Sequence, residues 1–136
     1  MHLLPVLQRL QQAVLFKTVR LSAEPPVLTD WSSTELPAVL LYPVGSNGAV
    51  VTDEFAPSQE LAHLYAVRLI TPLPDPAGNN GDPFATALHV LRQQLIGFTP
   101  APQQSPLRSV RGELLTANSN TMVWQEVFAS NQTYRN

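Results

Sequence analysis

Cysteine is absent from the chain, so no disulfide framework and no thiolate metal site is expected. Charge is also scarce. Only 13% of residues are Asp, Glu, Lys or Arg, against roughly a quarter in average soluble domains. Gln, Asn, Ser, Thr, Pro or apolar groups must then cover the surface that charge leaves, which suits contacts with other proteins.

The basic residues Arg9, Lys17, Arg20, Arg68, Arg92, Arg108, Arg111 and Arg135 are scattered, and the net charge is −2. Direct nucleic-acid recognition, which needs several phosphate contacts from a basic stripe, is not expected. Long apolar runs are missing too. The longest, Ala38 to Val44, is interrupted by Pro43 and is far too short to span a bilayer, so no membrane role is expected. The opening Met1-His2-Leu3-Leu4-Pro5 lacks the basic and apolar regions of a secretory signal, and a cytosolic origin fits.

What is present is enough for one core: 136 residues, 44% of them hydrophobic, form one domain of ordinary size. Leu3, Leu7, Leu10 and Val14 recur at helical spacing, and Pro5 is tolerable only in the first turn, so a helix begins near His2 or Leu3. Leu15–Leu21 reads as a strand with Val19 and Leu21 on one face. Ser22–Pro37 reads as a long loop anchored by Trp31.

Ala38–Val44 reads as a strand buried on both faces, with Pro43 near an edge. Gly45-Ser46-Asn47-Gly48 reads as a turn before short extended structure at Ala49–Thr52. His63–Thr71 is a strand with Tyr65, Val67 and Leu69 on one face.

A second helix is sharply bounded. Asp82 suits the N-cap, Pro83 the first helical position and Gly97 the left-handed position after the last turn. Phe84, Leu88, Leu91 and Leu95 form its apolar stripe. After the loop Thr99–Pro106, two strands at about Leu107–Ala117 and Met122–Ser130 are joined across Asn118-Ser119-Asn120. This order predicts an α+β fold, a largely antiparallel sheet flanked by two helices, with residues 1–136 as a single domain.

No catalytic, cofactor-binding or metal-binding constellation emerges. His2, His63 and His89 lie in unrelated segments without ligand spacing, and His89 falls just off the apolar stripe. Asp53 and Glu54, with Glu60 nearby, are expected in a polar loop where nothing marks a pocket to separate their pKa values. Gly78–Gly81 lacks the lysine and the spacing of a phosphate loop. Trp31, Trp124 and Phe128 suit core and loop anchoring more than a binding platform.

The one long stretch without periodicity is Thr71-Pro72-Leu73-Pro74-Asp75-Pro76-Ala77-Gly78-Asn79-Asn80-Gly81. Its prolines limit its conformations and its glycines deny it regular structure. Such loops are often functional, so all eleven residues are candidates for an interface that orders against a neighbouring protein.

Asp82-Pro83-Phe84, the run from Leu88 to Gly97, Pro106-Leu107-Arg108, Gly112-Glu113-Leu114-Leu115 and Trp124-Gln125-Glu126-Val127-Phe128 together resemble a small tail-protein family of Mu-like prophages. That family is similar to the tail-terminator proteins of long-tailed phages. The resemblance implies a sheet flanked by helices and a structural activity without catalytic residues. It implies that copies form a hexameric ring that caps the finished tail tube and meets the head connector, built in the bacterial cytoplasm and kept in the virion tail. The residues by themselves leave another class open, a small-molecule-binding or regulatory module that uses the Trp31 loop and the sheet.

Overall fold

The computed structural model describes residues 1–22, 31–51, 58–118 and 120–135. Helix α1 (Leu3–Gln11) is followed by β1 (Thr18–Leu21), a 3-10 turn at Ser33–Glu35, β2 (Ala38–Val51) and β3 (Ser58–Pro72). Helix α2 (Pro83–Leu95), β4 (Arg108–Ala117) and β5 (Thr121–Arg135) complete the order. The strands form one sheet in the order β1-β2-β3-β5-β4, with β1 parallel to β2 and every other pair antiparallel. This is the expected α+β arrangement, except that both helices lie on the same face.

That shared face follows from the core. Val6 and Leu10 of α1 and Ala87, Leu91 and Leu95 of α2 pack with Val39, Leu41, Tyr65, Val67, Leu69 and Phe128. Burial of one such side chain contributes about 1.5–3 kcal/mol, so this layer is the main stabilising term. Arg9 ties the helices together: its Nε donates to the Gln94 carbonyl at 2.9 Å and its guanidinium lies 5.4 Å from the Phe98 ring centre.

The opposite face buries Ala38, Leu40, Ile70 and Val123 beneath Leu36 and Trp31, and Arg20 stacks on the Trp31 ring at 5.8 Å. The first part of β2, Ala38 to Tyr42, is thus buried on both faces, as its apolar run predicts, whereas Val44 is exposed. The α2 boundaries also agree: Asp82 Oδ1 accepts from Ala85 N at 3.0 Å, Pro83 opens the helix, and Gly97 has φ +87°.

Three expectations are corrected. Val14 is 96% exposed rather than on the buried stripe, because α1 ends at Gln11. Ala13 and Phe16 enter the core instead as the chain turns, with Ala13 N donating to Leu10 O and Phe16 N to Ala13 O. For the same reason β1 starts at Thr18, not Leu15. Gly45–Gly48 is no turn. A bulge between Pro43 and Gly45 takes up the extra residue, and β2 runs on against β3 as far as Val51. Turn-forming residues do not make a turn when a partner strand long enough to continue the ladder lies alongside.

Pro43 sits beyond Leu41, the last β2 residue that β1 pairs, so it is at an edge as expected. The β4–β5 hairpin lies where it was predicted, and β5 extends to Arg135. Asn118 shapes its turn by accepting from Asn120 N and Thr121 N, both at 2.8 Å, rather than through a positive φ at a described asparagine.

Candidate assembly surface

The candidate loop runs from the end of β3 to the start of α2. Thr71, buried, and Pro72 still belong to β3; Leu73, Pro74 and Asp75 are half-buried, and Pro76 to Gly81 are exposed. The loop is closed on itself. Asp75 N donates to Asn80 Oδ1 at 2.8 Å, Ala77 N to Asp75 Oδ1 at 3.0 Å and Gly78 N to the Asp75 carbonyl at 2.8 Å. Its base is tied to the β4–β5 turn, where Leu73 N donates to the Asn120 carbonyl at 3.0 Å. A side chain that accepts and donates within its own loop fixes a shape without burying apolar surface.

The end of that loop walls a cleft of about 380 Å³. Leu15, Leu36, Pro37, Pro72 and Pro83 supply apolar lining, Thr86 lies at its margin, and Lys17 and Asp82 bring one charge of each sign. The loop contributes Asn80 and Gly81 besides Pro72. Leu15, Lys17 and Pro37 did not stand out in the sequence. Prolines at the boundaries of three separate elements are the available signal: Pro37 precedes β2, Pro72 ends β3 and Pro83 opens α2.

A second cluster joins α2, β4 and β5. Glu126 is fully buried, yet its carboxylate accepts from Arg92 Nε at 2.9 Å and Nη2 at 2.7 Å. Trp124 Nε1 donates to the same group at 3.3 Å, and the Trp124 ring meets Phe84 edge-on with centres 5.5 Å apart. The Glu126 carboxylate raises the Arg92 guanidinium above its already high ordinary value, chiefly through these hydrogen bonds. A Cβ at Gly112 would meet Trp124 Cζ2 at 2.5 Å and Glu126 Oε1 at 2.8 Å, so only glycine leaves room for the pair. This is a structural bidentate ion pair that ties α2 to β5.

The other flagged residues are dispersed. Trp124 and Phe128 belong to the helix-side core while Trp31 covers the opposite face, so no aromatic platform forms. His63 is buried, with Nδ1 3.0 Å from Ser46 Oγ and Nε2 3.3 Å from Gln132 Oε1. Burial lowers its pKa below the ordinary 6.5; the charges of the N-terminus and His2 push the same way, and the Gln132 bond opposes them. His89 is exposed, and Glu60 accepts from Asn131 Nδ2 at 2.7 Å. Asp53 and Glu54 lie outside the described residues. Among the described residues no group of three or more His, Cys, Asp or Glu is placed to hold a metal ion. Among the described residues no helix is long and apolar enough to cross a membrane.

Comparison with known proteins gives a consistent picture. The family model described as "Phage tail terminator protein" matches residues 2–136. A search of curated proteins finds no match. Among solved structures, a chain from the virion of a native gene transfer agent particle is similar at a TM-score of 0.55 and 16% identity. The likeness covers 95% of this chain and 92% of that one. At this identity it speaks for the fold.

Proposed function

The chain belongs to the phage tail terminator protein family and is a structural protein of phage tail assembly, and from that premise we propose that residues 1–136 act as one tail-terminator domain. Copies join into a ring, of hexameric order, that caps the finished tail tube and presents a surface to the head connector. The protein assembles in the bacterial cytoplasm and stays in the virion tail, and it carries out no catalysis. The family match over nearly the whole chain carries this reading. The weakly charged surface supports it, as do the half-exposed apolar side chains of Leu4, Ile96, Val110 and Leu114.

The loop from Thr71 to Gly81 is the element we assign to contact with a neighbouring subunit or the tube. Its turn is held by hydrogen bonds within the loop, so its removal takes little from the core. Replacing Pro74–Asn80 with a short Gly-Ser link is expected to leave the melting temperature nearly unchanged. In a phage complementation assay the same deletion should yield overlong or headless tails. Normal tails from a shortened protein that melts as before would reduce the loop to a connector.

A small-molecule-binding or regulatory module remains the alternative class, and Trp31 argues against it. The ring covers Leu36, Ala38, Leu40 and Ile70 and stacks with Arg20, and residues 23–30 of that loop lie outside the described residues.

A further inference from the structure

An asparagine followed by glycine loses its side-chain amide more readily than other asparagines, because glycine has no Cβ to hinder attack by its backbone nitrogen. The chain holds two such pairs, Asn47-Gly48 and Asn80-Gly81. Their settings differ. The backbone of Asn47 and Gly48 runs within the β2–β3 ladder, opposite Ala62 and Leu61. Asn80 and Gly81 are exposed in the loop before α2, and a Cβ on Gly81 would meet nothing within 4 Å. The hydrogen bonds of this loop are unequal in a way that favours reaction at Asn80. Its Oδ1 accepts from Asp75 N at 2.8 Å, a short bond on the oxygen that gains negative charge when Cγ is attacked. The two groups that must come free are held at only 3.3 Å, Nδ2 donating to the Leu73 carbonyl and Gly81 N to the Gly78 carbonyl.

We propose that Asn80 is a self-modification site, at which the Asn80-Gly81 pair closes to a cyclic imide and reopens as aspartate or isoaspartate. Gly81 N bonds to Asn80 Cγ, the Cγ–Nδ2 bond breaks, and Nδ2 leaves as ammonia with the proton from Gly81 N. Water then adds to one of the two imide carbonyls. Addition at Cγ gives aspartate, and addition at the backbone carbon gives isoaspartate. Water is the only co-reactant. Either product carries an ionised carboxylate where the amide was, so it has no donor for the Leu73 carbonyl. The new charge stands on the wall of the cleft that Asn80 shares with Lys17 and Asp82. Isoaspartate also routes the main chain through the side-chain carbons, which undoes the turn closed on Asp75. The chemistry goes beyond the tail-assembly reading and does not depend on it.

Peptide mapping by mass spectrometry, on the full chain incubated folded and in urea at neutral and mildly alkaline pH, tests the proposal. In the folded chain the Asn80 peptide should pass from amide to acid, with isoaspartate among the products, while the Asn47 peptide keeps its amide. The rate should rise with hydroxide concentration, because the attacking nitrogen must lose its proton. In urea both peptides should react. Asn80→Gln, whose longer side chain must close a larger ring, should melt like the parent chain and lose the conversion. An Asn80 amide that outlasts Asn47 in the folded chain would overturn the proposal. So would one that survives folding conditions for the time in which the urea-unfolded chain is consumed. Conversion to aspartate with no isoaspartate would indicate direct hydrolysis and overturn the imide route.

Discussion

The Arg92–Glu126 pair allows a prediction whose sign, not only its size, is diagnostic. Glu126 is fully buried, whereas the Arg92 side chain is 44% exposed, so the guanidinium acts as a lid on a desolvated carboxylate. Breaking a fully buried pair by removing one partner costs about 3–5 kcal/mol, because the other charge is left uncompensated. An exposed pair contributes about 0.2–1 kcal/mol. A half-open lid falls between, so Arg92→Met should destabilise by about 2 kcal/mol. After that change the carboxylate keeps only the long 3.3 Å bond from Trp124 Nε1, and water reaches it through the opening.

Glu126→Gln on its own keeps the shape but weakens two charge-assisted hydrogen bonds, for about 1 kcal/mol. In the Arg92→Met background the same Glu126→Gln should be stabilising, since it removes a buried charge that has lost its partner. Urea melts followed by tryptophan fluorescence give all four corners of the cycle, and Trp124 reports on the cluster itself. If Glu126→Gln is destabilising by the same amount in both backgrounds, the two residues are not coupled and the lid argument is wrong.

Three further perturbations test other levels of the fold. Leu91→Ala should cost about 2–5 kcal/mol through lost burial and a cavity, and Asp82→Ala about 1 kcal/mol as a lost N-cap; denaturant melts that reverse the order would refute the helix face or its start. Gly112→Ala should destabilise by about 1–3 kcal/mol, although alanine is no worse than glycine in a strand, because its Cβ overpacks the cluster; an unchanged melt would show that Trp124 moves aside freely. His63 has a folded-state pKa below 6.5, so the unfolded chain binds the proton more tightly. Its contribution to stability is therefore full above about 6.5 and falls as the pH drops below it, until the folded-state pKa is passed. Replacement by Gln should flatten that part of the stability–pH curve, and an unaltered slope between pH 5 and 7 would refute the assignment.

The elements read correctly from the sequence are those in which local chemistry and tertiary packing agree. Asp82, Pro83 and Gly97 mark α2 because cap, ring and left-handed position are each decided within one turn of backbone. The alternation of Tyr65, Val67 and Leu69 is legible because β3 has a covered face. The failures fall where partners decide. Val14 continues the α1 spacing in sequence, but whether the chain is still helical there depends on how Ala13 and Phe16 turn into the core. Gly45–Gly48 has turn composition, and it is overridden by a β3 long enough to pair with it to Val51. The parallel β1–β2 pair and the placing of both helices on one face are settled by long-range packing, for which short-range periodicity carries no signal.

The site divides along the same line. The Thr71–Gly81 loop is visible in sequence because proline and glycine act locally, and its closed turn follows from an aspartate and an asparagine five residues apart. The cleft beside it is not visible, because Lys17, Pro37, Pro72 and Pro83 come from four separate segments that only the sheet brings together. The motif residues that carry the resemblance to the tail family behave differently again. Phe84, Arg92, Gly112, Trp124 and Glu126 were met as separate fragments, and they converge on one packed cluster. A glutamate between Gln125 and Val127, in a strand whose other neighbours are largely apolar, is the visible trace of that cluster, since a charge buried there requires a partner. Contacts within the cluster lock α2 to the β4–β5 hairpin. That lock fixes the start of α2, and with it the loop that leads into Asp82, by packing on the far side of the same helix.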